Sequence, residues 1–178
     1  MKAKVNMYGV VDPPKVSLST LFMYLDRLRN LVESLDGIDS RTILACTEDE
    51  VNQLEQEMAL TFPKAYREFL LWCGKRLGKV VWDDRFYYPF QPEMKEEAIE
   101  SLIFDQQDAS FIDEHVIVIW AHEGYSYCFI RTGEGDDPPV YHFFSGREVN
   151  LSHSHFSDYF YNEAIRYLKW YHGLAEQV

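Results

Sequence analysis

Residues Thr47–Gly74, TEDEVNQLEQEMALTFPKAYREFLLWCG, decide how the rest of the chain is read. Thr47 with Glu50 three residues on has the form of a capping box, in which each side chain satisfies an orphan N–H of a helix start. Val51, Leu54 and Met58 then recur at helical spacing. Pro63 suits the first turn of a second helix, where its missing N–H costs nothing. Tyr66, Phe69, Leu70 and Cys73 stripe that second helix, and Gly74 stands where a left-handed C-cap is expected. The stretch therefore predicts two helices joined at a Pro elbow. The elbow itself carries no nucleophile, metal cluster or phosphate loop.

Working outward, the chain before the elbow begins with MKAKVNMYGVVDPPK, which has no long apolar run of the secretory type. Leu18, Leu21, Phe22, Leu25, Leu28, Val32 and Leu35 then form a wide apolar stripe, predicting a helix that ends at Asp36-Gly37. Residues 1–40 are read as a lead-in and helix packed on the domain, and 41–178 as the domain itself. After the elbow, Lys79–Trp82 reads as a short strand and Glu93–Phe104 as a helix with Met94, Ala98 and Leu102 inward. Val116–Trp120 is a continuous apolar run, which predicts a strand buried on both faces. His122-Glu123-Gly124 turns it into a returning strand, Tyr125–Arg131. TGEGDDPP (132–139) is loop-like, and Val140–Phe144 with Arg147–Leu151 reads as a further hairpin. A closing helix follows Ser154 or Ser157. Helices flanking a strand meander predict an α+β fold, an antiparallel or mixed sheet covered by helices.

The chain has 178 residues, 47% of them hydrophobic and 16% aromatic, and carries a net charge of −12. Its length suits one substantial core. No stretch approaches the roughly 20 apolar residues of a membrane span. Three widely spaced cysteines, Cys46, Cys73 and Cys128, lie in apolar periodic segments, as reduced thiols of a cytoplasmic protein would. The charge is unevenly spread: residues 81–140 hold fourteen acidic and three basic groups, whereas residues 1–40 hold five of each. A field of that sign repels phosphate backbones, so direct nucleic-acid binding is disfavoured; the acidic face reads either as a solvated surface that aids solubility or as one that steers a basic protein partner.

Catalytic and metal chemistry find little support. His153-Ser-His155 with His142 upstream lacks the further ligands of a zinc site. Cys73 and Cys128 sit among apolar neighbours that disfavour a thiolate. His122-Glu123 reads equally as an acid–base pair or an exposed turn, and Gly133-x-Gly135 lacks the lysine of a phosphate loop. The mixtures of aromatic and acidic residues are more suggestive, because Trp and Tyr dominate binding hot spots and carboxylates select Arg- or Lys-rich partners. Trp82, Asp83, Asp84, Tyr87, Glu123, Tyr125, Asp136 and Asp137 are the candidate partner-binding residues, with Trp82 and Trp120 alike also readable as core.

The elbow, with Leu54, Glu55, Phe62, Pro63, Tyr66, Phe69, Leu70 and Gly74, and a later block of Trp120, Gly124, Tyr125, Tyr127, Cys128, Phe129, Pro139, Val140 and Tyr141, resemble the SUKH superfamily. That superfamily contains fungal regulators of cell-wall synthesis and bacterial immunity proteins for polymorphic toxins. The resemblance spans roughly residues 41 to 172, leaving the first helix as an addition. It implies a SUKH-like fold and a non-enzymatic protein that binds and neutralises a toxin, often a nuclease, without a cofactor. A regulatory or scaffold adaptor of the same fold is the alternative, and a small hydrolase is a third reading.

Overall fold

Thr47 closes its capping box: its Oγ1 accepts the Glu50 N–H at 3.2 Å while Glu50 Oε2 accepts the Thr47 N–H at 2.8 Å. In the computed structural model, which describes residues 24–34, 42–77, 88–144 and 146–172 (the side chains of Ser34 and 167–172 excepted), this box opens helix α2 (Glu48–Glu57). Helix α3 follows the elbow as Lys64–Cys73, so Pro63 occupies the N-cap position rather than the first helical one. The N–H of Phe62 in the elbow reaches Glu55 Oε1 at 2.7 Å, and Arg67 clamps Glu55, Glu48 and Asn52 from the other side.

The chain runs α1 (Asp26–Ser34), β1 (Ile43–Leu44), α2, α3, β2 (Arg76–Leu77), α4 (Gln91–Phe104), β3 (Val116–His122), β4 (Ser126–Arg131), β5 (Val140–Phe144), β6 (Asn150–His153) and α5 (Phe156–His172). Strands β3 to β6 form one antiparallel sheet in sequence order, and β1 pairs with β2 in a second, two-stranded one. This is an α+β fold with the additional helix α1 present. The expected strand at Lys79–Trp82 lies outside the described residues. The last strand begins at Asn150, later than the hairpin pattern predicts.

Both faces of the sheet are covered, as the unbroken apolar run of β3 requires. Ile117, Ile119, Cys128, Ile130 and Val140 face a core shared with α1, α2, α3 and α5. Val118, Tyr127, Phe129 and Phe143 face the other way, onto Met94, Ala98 and Leu102 of α4. Helix α3 is the central element, because Ala65, Tyr66, Glu68, Phe69, Leu70 and Cys73 are all buried. Phe69 packs edge-on against Phe160 at 4.8 Å between centroids and against Phe156 at 6.0 Å. Such ring pairs add about 1 kcal/mol each beyond the area they bury.

Gly74 departs from the expected left-handed cap. Its backbone is right-handed helical, at φ −57° and ψ −18°. Glycine is needed there for space, since a Cβ would lie 2.6 Å from the Leu70 carbonyl oxygen and 2.8 Å from Cys46 Sγ.

The three thiols are free and buried. Burial pushes Cys46 and Cys128 up to about 12 and Cys73 well above its ordinary value. The folded protein is therefore expected to resist alkylation by iodoacetamide at pH 8, with all three cysteines labelled only in denaturant. Labelling of any of them under native conditions, read by mass spectrometry, would contradict this burial.

Candidate protein-docking end of the sheet

The turn joining β3 to β4 has two consecutive residues at positive φ, Glu123 at 46° and Gly124 at 75°. That is the pattern of a type I′ turn, whose twist suits a tight hairpin. Asn, Asp or Gly would sit at the first position with less strain than Glu, which gives up roughly 1 kcal/mol there. The Glu123 carboxylate accepts the Tyr125 hydroxyl at 3.0 Å and lies 3.9 Å from His122 Nε2.

A bulge between Val118 and Trp120 resets the pairing so that Trp120 faces Cys128 and His122 faces Ser126. The rings beyond the bulge form a continuous ladder. Trp120 stacks on His122 at 5.8 Å, His122 meets Tyr125 edge-on at 5.4 Å, and Tyr125 meets Phe144 at 5.1 Å. Trp120, His122 and Tyr125 are half-buried, and Phe144 is exposed.

Helix α4 brings further apolar surface to the same end. Ser101 Oγ donates to the Gly124 carbonyl at 2.8 Å, and the Gly146 N–H donates to Gln107 Oε1 at 3.1 Å. These bonds fix the last turn of α4 beside both hairpin turns. There Ile103 is 63% exposed and Phe104 86%, while Leu151 on the edge strand β6, 59% exposed, sits farther along the sheet, opposite Tyr141. Single exposed apolar residues mean little, but large ones gathered at one end mark an interaction surface. Glu100, Asp105 and Glu148 are exposed around it, and no ion pair among the described residues engages them.

The expected binding residues are thus divided. Glu123 and Tyr125 lie on this end. Asp136 and Asp137 lie in the loop after β4, separated from them by a six-residue strand, about 20 Å. Their carboxylates serve the fold: Asp136 pairs with Lys64 Nζ at 2.7 Å, and its carbonyl accepts the Ala65 N–H at the start of α3. Asp137 accepts the Ser157 N–H at 2.9 Å and its hydroxyl at 2.6 Å, capping α5 from outside the helix. Asp137→Ala is expected to cost about 1 kcal/mol, a fall of roughly 3 °C in melting temperature, with Asp137→Asn costing less. Equal losses in the two variants would contradict a capping role. Trp82, Asp83, Asp84 and Tyr87 lie outside the described residues.

A groove of ≈580 Å³ opens at the far end, between the elbow (Leu60, Pro63) and the loop (Thr132, Gly133, Asp136), with His115. Of the carboxylates beside it, Asp136 is paired with Lys64 and Glu55 with Arg67, while Glu134 accepts the Tyr141 hydroxyl at 3.0 Å. At the sheet end Glu100, Asp105 and Glu148 have no ion pair among the described residues, and that difference makes this end the preferred docking candidate.

Other reactive groups are accounted for internally. His142 Nε2 and Ser126 Oγ share a hydrogen bond of 2.8 Å, and burial lowers the His142 pKa. His153 bonds Ser152 and Asn162, and His155 faces Asp158. Among the described residues no three His, Cys, Asp or Glu gather as a metal site, and no helix is long and apolar enough to cross a membrane.

Sequence reading missed Ile103, Phe104, Phe144 and Leu151. A signal existed for two of them. Ile103 and Phe104 follow the inward stripe Met94, Ala98, Leu102 by one and two residues, about 100° and 200° around the helix, and so point off it.

The sequence signature of the SMI1 / KNR4 family (SUKH-1) matches residues 45–162, about two thirds of the chain. The matched span runs from the segment between β1 and α2 into α5 and so takes in the elbow, the whole four-stranded sheet and its exposed end. No curated protein matches the chain.

Proposed function

The chain belongs to the SMI1 / KNR4 family (SUKH-1), and on that premise we propose that it is an immunity protein that neutralises a basic toxin, of nuclease type, by docking it on the open end of the sheet. Membership supports a toxin-immunity or related protein-binding role in general. The finer reading rests on one observation: an aromatic and apolar end, with Phe104 86% exposed, beside the exposed carboxylates of Glu100, Asp105 and Glu148, which no ion pair among the described residues engages. A toxin that grips phosphate presents the opposite charge. The ring ladder supplies contact area at low entropic cost, and the acidic rim steers the encounter and selects the partner. Trp120, Glu123, Tyr125, Phe144 and Phe104 are the proposed contacts, with Trp82, Asp83, Asp84 and Tyr87 as further candidates.

The test is binding between this protein and basic toxin domains encoded beside it, measured across a salt series. Tight binding that weakens as salt rises, together with loss of the toxin's nuclease activity in the complex, is the expected result. Failure to bind any such neighbour would overturn the immunity reading and leave a scaffold or regulatory adaptor of the same fold.

A further inference from the structure

Between residues 96 and 165 the chain carries only two cationic side chains of the Lys/Arg type, Arg131 and Arg147. Arg131 is engaged at the far end, donating to Asp113 at 3.1 Å and to the Phe111 carbonyl at 2.9 Å. Arg147 stands alone on the acidic end. Its backbone N–H donates to the Phe144 carbonyl at 2.9 Å, and Gly146 takes φ +78° to close that turn. The turn folds the guanidinium back over the Phe144 ring, 5.4 Å from its centroid. No described carboxylate lies within ion-pair distance of it, although Glu148 is the next residue. Tyr125 meets the same ring at an inclined angle, 5.1 Å between centroids, and the Phe144 side chain remains exposed.

From this arrangement we infer that the Phe144 ring, with the exposed carboxylates of Glu123 and Glu148 on the adjoining hairpin turns, is a subsite for an arginine or lysine side chain of the partner, and that Arg147 fills it in the free protein. The inference rests on the docking reading above and adds a specificity device to it. Docking exchanges an intramolecular cation for an intermolecular one, so the protein's own arginine competes with weakly basic surfaces. A partner that delivers a well-placed cation displaces it. Ring–cation contacts at exposed sites are weak, so the competition shifts affinity by a small factor rather than abolishing binding.

The experiment is a double-mutant cycle with a hexa-arginine peptide as probe, titrated by fluorescence anisotropy onto the full chain. Arg147→Gln is expected to bind the peptide roughly threefold more tightly than the parent. In a Phe144→Leu background, which keeps apolar bulk but removes the ring, the same change is expected to give little gain. No gain from Arg147→Gln would overturn the inference. So would an equal gain in both backgrounds, which would mean that only the overall charge had changed, and so would absence of binding in every variant. A Glu100→Gln, Glu123→Gln, Glu148→Gln triple variant separates the two readings. If it weakens peptide binding while Arg147→Gln has no effect, the acidic docking end stands and the self-filled subsite falls. Thermal melts of each variant confirm that the fold is retained.

Discussion

Glu68→Ala is expected to destabilise the protein by about 3–5 kcal/mol, the range for breaking a buried charged network by removing one partner. Glu68 lies on α3 and is only 4% exposed. Its carboxylate accepts the N–H groups of Tyr24 at 2.9 Å and Leu25 at 3.1 Å, immediately before α1 begins. It also faces the Arg29 guanidinium at 3.9 Å, and Arg29 stacks on Trp72 at 4.5 Å. Alanine takes the acceptor from two backbone donors and the carboxylate from a guanidinium whose pKa burial already lowers. For a chain of this length the loss corresponds to about 10 °C in melting temperature. Glu68→Gln, which keeps an acceptor oxygen but not the charge, should lose about half as much. Limited proteolysis provides the local readout: in Glu68→Ala, cleavage between α1 and β1 should rise ahead of global unfolding. A melting temperature within a degree or two of the parent would contradict this account of how α1 is held.

Gly74→Ala is the second large effect, at about 2–4 kcal/mol destabilising. The backbone of Gly74 is right-handed, so alanine is conformationally acceptable and should even gain some helix propensity. Space decides the sign. The new methyl group would lie 2.6 Å from the Leu70 carbonyl oxygen, 2.7 Å from Leu70 Cα and 2.8 Å from Cys46 Sγ. That carbonyl already accepts the N–H groups of Cys46 and Gly74, and the Gly74 carbonyl accepts the Tyr88 N–H at 2.8 Å. The methyl group can be admitted only by reopening the last turn of α3 between Leu70 and Gly74 and moving the Cys46 side chain away from it. Asparagine separates the two explanations of this glycine. A left-handed cap tolerates it, whereas a crowded site makes it worse than alanine. Denaturant unfolding of both variants distinguishes these outcomes, and Asn outperforming Ala would refute the steric account.

These cases show where the sequence could and could not be read. Thr47 and Glu50 are three residues apart, so their mutual cap follows from local spacing. The unbroken apolar run of β3 follows equally well, because a strand that hides every residue must be covered on both faces. Gly74 was correctly placed at a helix end but for the wrong reason, since the atoms that exclude a methyl group include Cys46 Sγ, twenty-eight residues earlier. The caps of α3 and α5 were invisible because both come from Asp136 and Asp137 in a distant loop, where acidic residues otherwise read as a solvated or binding surface. Glu68 was similarly hidden. Its neighbours Phe69 and Leu70 mark a buried helix, but nothing local says that two N–H groups over forty residues earlier will meet it. The candidate docking end was half legible, because Glu123 and Tyr125 lie on one turn, while Phe144 reaches it through strand pairing and Phe104 through the packing of α4 against the hairpin.

The central claim is that the open end of the sheet, rather than the groove beside the elbow, receives the partner. The most direct measurement is the dissociation constant of the basic partner for two variants of the full chain, Phe104→Ser with Glu123→Lys at the sheet end and Leu60→Ser with His115→Ala at the groove. The account predicts a loss of about a hundredfold or more for the first, the scale of a lost hot-spot residue together with a charge reversal, and a change of less than about threefold for the second. Undiminished binding by the sheet-end variant, with binding lost in the groove variant, would contradict it.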